Sequence, residues 1–297
     1  MHGAVNGRRT GAAQWGTCKS RASMGELEPL LGRLRQGPAV LVTVAQVQGS
    51  TPREPGAWMA VFAEGQVGSI GGGQLEWQAA QHARERLATK AQTADTVRVP
   101  LGPSLGQCCG GVVQLRYERV DQSNISALQH RLSEPRQPVA VFGAGHVGRA
   151  LVQVLAPLPF AVHWIDSRDD AFPSASPAAC ERVDVPADAV RDLPAGSHVL
   201  VMSHSHVEDF DIVAACLKRQ QMQGDVASIG LIGSASKWAS FRQRLLARGV
   251  GAEQLAQVRC PIGLPGITGK QPGVIAVAVA AQLLQQRDRA ADAKKAP

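Results

Sequence analysis

Two adjacent thiols set among glycines hold the most reactive chemistry in this sequence. Cys108 and Cys109 stand in Leu101-Gly-Pro-Ser-Leu-Gly-Gln-Cys-Cys-Gly-Gly111, between two stretches that read as strands. Neighbouring cysteines rarely close a disulfide, because S–S geometry strains the peptide between them. Nearby backbone N–H groups favour a thiolate. A soft thiolate suits a soft metal centre or sulfur transfer. The same pair also reads, more plainly, as two small apolar residues at a strand start.

A second kind of chemistry is anion binding. Gly143, Gly145 and Gly148 have the G-x-G-x-x-G spacing, with His146 inside the turn, and Asp166 follows 18 residues after Gly148. Gly143 permits a tight turn, Gly145 lets a phosphate approach the backbone, and Gly148 lets helix pack on strand. A helix N-terminus behind the turn supplies N–H groups and partial positive charge. Asp166 beside Arg168 fits either a ribose hydroxyl or a ribose 2′-phosphate. A dinucleotide-type fold that holds no dinucleotide is the competing reading.

Four further places repeat the theme more weakly. Ser50, Thr51 and Arg53 lie in Gln48-Gly-Ser-Thr-Pro-Arg-Glu-Pro-Gly56, an oxyanion loop or simply a turn pinned by prolines. Gly71, Gly72 and Gly73 lead into a helix and make a second N-terminus open to an anion. Glu76 in its first turn reads as a cap. The Walker G-x-x-x-x-G-K-[S/T] pattern is absent there. His204 and His206 end a predicted parallel strand, the ligand edge of such sheets. A His-x-His pair binds metal or donates to phosphate, or is merely polar. Ser234 and Lys237 follow another strand, as a phosphate turn or an ordinary cap. Lys270 closes a Gly/Pro-rich loop before an apolar run, Val274 to Leu284, which predicts a helix buried on all sides.

Periodicity supplies the elements that must position these groups. Leu27, Leu30, Leu31 and Leu34 predict a short helix, and Ala39 to Val47 a strand. Ala57 to Ala63 and Gln66 to Ile70 predict paired strands, with Asp95 to Pro100 and Val112 to Val120 further on. A helix is expected over Ser123 to Leu132. Ser133-Glu-Pro-Arg-Gln-Pro138 is a proline-bracketed linker. Beyond it, Val139 to Phe142, a helix carrying Val147, Leu151, Val154 and Leu155, and a strand ending at Asp166 form a βαβ unit. A brief strand at Val183 to Val185, strands at 198–203 and 228–232 and a helix at 207–219 complete an α/β reading. The expected fold is an N-terminal mixed α/β domain over 25–134, then a Rossmann-like parallel-sheet domain over 138–285. Residues 1–24 and 286–297 are expected to be a disordered extension and tail.

Composition excludes several classes. The chain has 297 residues, 31 Lys and Arg against 24 Asp and Glu, and aromatics at 4%. Much of the net +7 charge sits in the ends, with Arg8, Arg9, Lys19 and Arg21 in the first 24 residues and no acid among them. A near-neutral body with few stacking rings argues against nucleic-acid binding. No run reaches the length of a membrane span. Six scattered cysteines without a C-x-x-C pair fit a reducing cytoplasm rather than a disulfide framework or structural zinc.

Jointly, these segments resemble the XdhC/CoxI family, the accessory proteins that mature xanthine dehydrogenase. The resemblance rests on Val40-Leu-Val-Thr-Val with Gly49-Ser-Thr-Pro-Arg-Glu, Gly68-Ser-Ile-Gly-Gly-Gly, the Cys108-Cys109 segment and Phe142-Gly-Ala-Gly-His-Val-Gly. Ser203-His-Ser-His, Ile229-Gly-Leu-Ile-Gly-Ser-Ala-Ser-Lys and Pro261-Ile-Gly-Leu-Pro-Gly-Ile complete it. It implies a cytoplasmic chaperone of purine catabolism, without turnover of its own, that binds the molybdenum cofactor, a pyranopterin carrying molybdenum. Such a protein takes the cofactor from a supplying protein and presents it to a cysteine desulfurase. It then hands it to the xanthine dehydrogenase apo-enzyme. A homo-oligomer, in the simplest case a homodimer, is expected. The resemblance places the family's cysteine on Cys109, with Cys108 second, as a possible molybdenum ligand. An NAD(P)-dependent oxidoreductase using Asp166 for ribose, and a nucleotide-sensing module without chemistry, are the alternatives.

Overall fold

A computed structural model describes residues 26–102, 110–133 and 135–295, with side chains described to residue 290. Cys108, Cys109 and the N-terminal extension lie outside the described residues. The chain divides into two units, with the break between Glu134 and Pro135.

The N-terminal unit runs α1 (Leu27–Leu34), β1 (Ala39–Gln48), β2 (Trp58–Val61), β3 (Gln66–Gly68), α2 (Gly73–Ala88), β4 (Asp95–Pro100), β5 (Val112–Val120) and α3 (Ile125–Leu132). Its strands form an antiparallel sheet in the order β3-β2-β1-β5-β4. Alternation along β1 explains the two layers. Val40, Val42 and Val44 face α2, where Leu75, Ala79, Ala80 and Ala83 cover them. Ala39 and Leu41 face the other way, under α1 and Leu128 of α3. All four leucines of α1 are buried, as their 3.6 period requires. A bulge at Ala45 shifts the register of β1 against β5 just before the chemistry-bearing loops.

The C-terminal unit runs β6 (Gln137–Phe142), α4 (His146–Leu155), β7 (Phe160–Asp166), β8 (Ala179–Arg182), α5 (Pro186–Ala189), β9 (Ser197–Val201), α6 (His206–Gln223) and β10 (Val226–Leu231). It continues through α7 (Ala235–Ala247), α8 (Ala252–Leu255), β11 (Val258–Arg259) and α9 (Pro272–Lys295). All its strand pairs are parallel, in the order β11-β10-β9-β6-β7-β8. The order reverses between β6 and β9, which makes the crevice at their C-terminal ends the expected ligand position. Helices cover both faces, α4 and α9 on one and α6 and α7 on the other. This is the Rossmann-like arrangement that the βαβ signature predicts.

Three local expectations change. The short strand lies at Ala179–Arg182 rather than 183–185. The last helix does not stop at Leu284 but continues to Lys295, so residues 286–295 are helical where a disordered tail is expected. Gln, Arg, Ala and Lys dominate that stretch and all favour helix; polarity ends the apolar run, not the helix. Nor is the apolar run buried all round. Ala276, Val279, Ala280 and Leu283 face the core, while Val274 and Val277 are exposed.

Candidate functional site

Antiparallel connectivity brings three loops to one end of the N-terminal sheet: 49–57 after β1, 69–72 after β3, and 101–111 between β4 and β5. They touch through glycines. A Cβ on Gly71 (φ +121°) would lie 2.5 Å from the Pro52 side chain, and one on Gly111 would lie 2.4 Å from the Ser50 carbonyl oxygen. Only glycine permits that approach. Leu101 N–H donates to the Gly111 carbonyl at 2.8 Å and closes the base of the segment that carries Cys108 and Cys109. Arg53 reaches the Ser69 carbonyl at 3.4 Å, and Thr51 donates to the Arg53 carbonyl at 3.1 Å. Ser50 is exposed beside them. The structure therefore gathers Ser50, Thr51, Arg53, Gly71 and the glycine end of the thiol segment.

The turn Gly71-Gly72-Gly73 is not an open anion site, because the chain supplies its own anion. Glu76 Oε2 accepts from Ser69 Oγ at 2.6 Å and from the amides of Ile70 and Gly72, each at 3.0 Å. Its Oε1 accepts from Gln66 at 2.8 Å. Burial pushes the Glu76 carboxyl up, but the Ser69 hydroxyl and the Gly72, Ile70 and Gln66 N–H groups outweigh it, and the pKa falls below the ordinary value.

The C-terminal unit carries a different constellation at its switch point. Gly143 (φ +117°) lies against β9: an added Cβ would sit 2.1 Å from the Met202 carbonyl oxygen. Gly148 likewise has the Gly143 carbonyl 2.1 Å from its Cβ position. Gly145 is different. It caps α4 with no side-chain hydrogen bond, and open space surrounds its Cβ position. His146, exposed, opens the helix. Trp164, which carries no signal in the sequence, donates its indole N–H to the Gly143 carbonyl at 3.0 Å and fixes the turn.

Asp166 is engaged within the fold. It is 3% exposed. Its carboxylate accepts from the Ala144 amide at 2.6 Å and from the Arg168 amide, Nε and Nη2, each at 2.9 Å. Burial raises its pKa, but the Arg168 guanidinium and the two amides prevail and hold it at about 2. A ribose hydroxyl would have to displace one of these donors.

Beyond β9, Ser205 caps α6, accepting from Val207 and Glu208. His204 and His206 are exposed, and His204 lies 3.5 Å from Glu208, which also accepts from Ser167 at 2.7 Å. Among the described residues no group of three His, Cys, Asp or Glu side chains is placed to hold a metal. Ser234 is the cap of α7, accepting from the Lys237 amide at 3.2 Å. Lys237 turns inward, donating to Asp209 at 2.5 Å and to the Ile232 carbonyl at 2.9 Å. Asp209, 1% exposed, also accepts from Ser203 N–H at 2.9 Å. Nothing local in the sequence announces for Asp209 a partner 28 residues away. Lys270 is exposed, two residues before α9. Within this unit, then, the groups left facing outward at the ligand edge are Gly145, His146, His204, His206 and Lys270. No described helix is long and apolar enough to cross a membrane.

Comparison with known proteins agrees with this architecture. Residues 33–100 match the description "XdhC and CoxI family", and residues 139–283 match "XdhC Rossmann domain". A curated relative, the uncharacterised protein YqeB of Escherichia coli (strain K12), is 26% identical over 262 residues. That alignment covers 85% of this chain but 44% of the relative, so the chain spans less than half of that protein's length. A crystal structure described as a xanthine dehydrogenase from Bacillus halodurans superposes with a TM-score of 0.72 at 23% identity, covering 90% of this chain and 96% of that one. At that identity the likeness speaks for the fold. With both halves of the chain matched in order, the protein belongs to the XdhC and CoxI family.

Proposed function

We propose that this protein is a maturation factor for xanthine dehydrogenase that carries the molybdenum cofactor, holds it for sulfuration by a cysteine desulfurase and delivers it to the apo-enzyme. Family membership supports a maturation role. The observation that carries the cofactor reading is the closed base of the thiol segment. The Leu101–Gly111 hydrogen bond joins the two described ends of the segment that bears the cysteines in sequence, and Gly111 packs flush on Ser50 of the hydroxyl- and guanidinium-bearing loop. Cys109, with Cys108 second, is the thiol assigned to the soft metal end of this cargo. In the C-terminal unit, the uncapped α4 N-terminus at Gly145 fits a phosphate. Asp166, closed by Ala144 and Arg168, weakens the case for an NAD(P)-dependent oxidoreductase that reads ribose.

The test is retention of cargo. The full chain is purified from cells that make the cofactor, then denatured and oxidised, and the extract is assayed for pterin fluorescence. A pterin signal at a substantial fraction of one per chain, lost in Cys109→Ala or Cys108→Ala together with activation of apo-xanthine dehydrogenase, is the expected result. Absence of pterin combined with tight NADH binding would replace this reading with the oxidoreductase. Unchanged retention and activation in both cysteine variants would remove the thiol from the account.

A further inference from the structure

The inward stripe of α9 changes character halfway along the helix. Its first half buries Ala276, Val279 and Leu283. One helical stripe further, Gln282, Gln286 and Arg289 stand at i, i+4 and i+7, where an ordinary core helix would stay apolar. They line a cavity of about 450 Å³ between the helix and strand β10. The opposite wall is Ser228 and Gly230, with Ile262 packed against Gly230, and Arg259 stands beside them on β11. Strand β11 pairs with β10 only at Ile229 and Gly230, so the first half of β10 borders the cavity as an open edge. Leu200 and Leu283 supply apolar wall. The cavity reaches the first residues of β10, away from the strand ends that carry the glycine turn.

Its polar groups are arranged but incompletely used. Gln282 is fixed by both Gly263 backbone groups at 3.2 and 2.8 Å. Ser228 Oγ is fixed by His198 Nδ1 at 2.7 Å. Gln286 lines the cavity, and its Oε1 is buried without a hydrogen-bond partner, an acceptor that meets a donor in the cavity when the side-chain amide turns toward it. Among the described residues, Arg259 and Arg289 have no ion-pair or hydrogen-bond partner. Two guanidiniums and an orphaned acceptor around an apolar wall match one class of ligand. We propose that this cavity binds a small organic anion, a carboxylate or phosphate ester on a compact apolar body that also carries an N–H or O–H for Gln286. It is a second site, independent of the cofactor reading.

The test uses the full chain with 3-hydroxybenzoate and phenyl phosphate as probes, and benzoate, benzyl alcohol and benzamidine as comparisons, read by thermal shift and calorimetry. Both anionic probes should bind saturably in the millimolar range or below, and 3-hydroxybenzoate more tightly than benzoate. Arg259→Gln with Arg289→Gln, and separately Ala227→Trp, which fills the mouth from an exposed position, should each weaken binding about tenfold or more. Their unliganded melting should match the parent's. In Gln286→Leu the advantage of the hydroxyl should vanish. Failure of both anions to bind at about 10 mM, equal binding of benzyl alcohol or benzamidine, or affinity that survives the arginine substitutions overturns the proposal. The last result would place the anion at the Gly145 turn instead.

Discussion

The carboxylate of Asp166 accepts the amide N–H of Ala144 at 2.6 Å, so the end of β7 holds the glycine turn that follows β6. This bond spends on architecture the acid that, in a dinucleotide site, would meet ribose. Arg168 takes the remaining acceptor positions. What stays open at this turn is the α4 N-terminus at Gly145, which suits a phosphate without specifying a nucleoside.

Asp166→Asn keeps the shape but turns an amide N–H toward the Arg168 guanidinium. The expected loss is about 2–3 kcal/mol at pH 7, measured by urea denaturation. The folded pKa is depressed to about 2. The charge therefore stabilises the fold above the unfolded value near 4, and that contribution disappears as pH falls through about 2. Parent and variant should differ most above pH 4 and converge below it.

The glycines of the turn separate structure from ligand. Gly143→Ala places a methyl 2.1 Å from the Met202 carbonyl at φ +117°, so it should cost about 4 kcal/mol or more and yield little soluble protein. Gly145→Ala meets open space at φ −75° and should stay within about 1 kcal/mol of the parent. If the turn holds the cargo's phosphate, Gly145→Ala should nevertheless retain about tenfold less pterin, read by fluorescence after oxidation. Unchanged retention in a normally folded Gly145→Ala protein would move the phosphate elsewhere.

The contrast between these residues shows what a sequence makes visible. The β6–turn–α4–β7 unit was legible because its glycine spacing and apolar periods are local, and each turn glycine has a steric reason at close range. The helix cap by Glu76 was also local, three residues past the turn it caps. Partners far apart in sequence were not legible. Asp209 finds Lys237 only because α6 and α7 begin beside neighbouring parallel strands, and Trp164 finds Gly143 only across the β6–β7 pair. Lys237 looks like a ligand group in isolation because the Asp209 carboxylate that engages it is not evident until the chain folds. The end of α9 lies beyond the apolar run for a different reason: burial pattern and helix propensity part company after Leu284, and propensity prevails.

Asp209 and Lys237 form an ion pair with side chains 1% and 11% exposed. Lys237→Met should destabilise by about 3–5 kcal/mol, because the carboxylate remains buried with only the Ser203 amide for company. Asp209→Leu combined with Lys237→Met should cost clearly less than the sum of the two single changes, with a coupling of about 2–3 kcal/mol in a double-mutant cycle by urea denaturation. Strict additivity would mean that the two side chains act separately.

His198 and His163 are buried, and burial depresses both imidazoles to about 4. In the unfolded chain they protonate near 6.5, so between about pH 6.5 and 4 the unfolded state binds more protons than the folded one. Stability must then fall as pH drops through that window, by on the order of 3 kcal/mol per histidine at most, and level off below it. Neutral His198 keeps its bond to Ser228 throughout this range. His198→Gln should lower stability at pH 7, since the Ser228 contact and the packing on Phe160 change. The same substitution should roughly halve the slope of stability against pH between 6.5 and 4. Urea titrations at half-unit intervals measure both quantities. A slope identical to the parent's would show that burial does not depress the His198 imidazole in the fold.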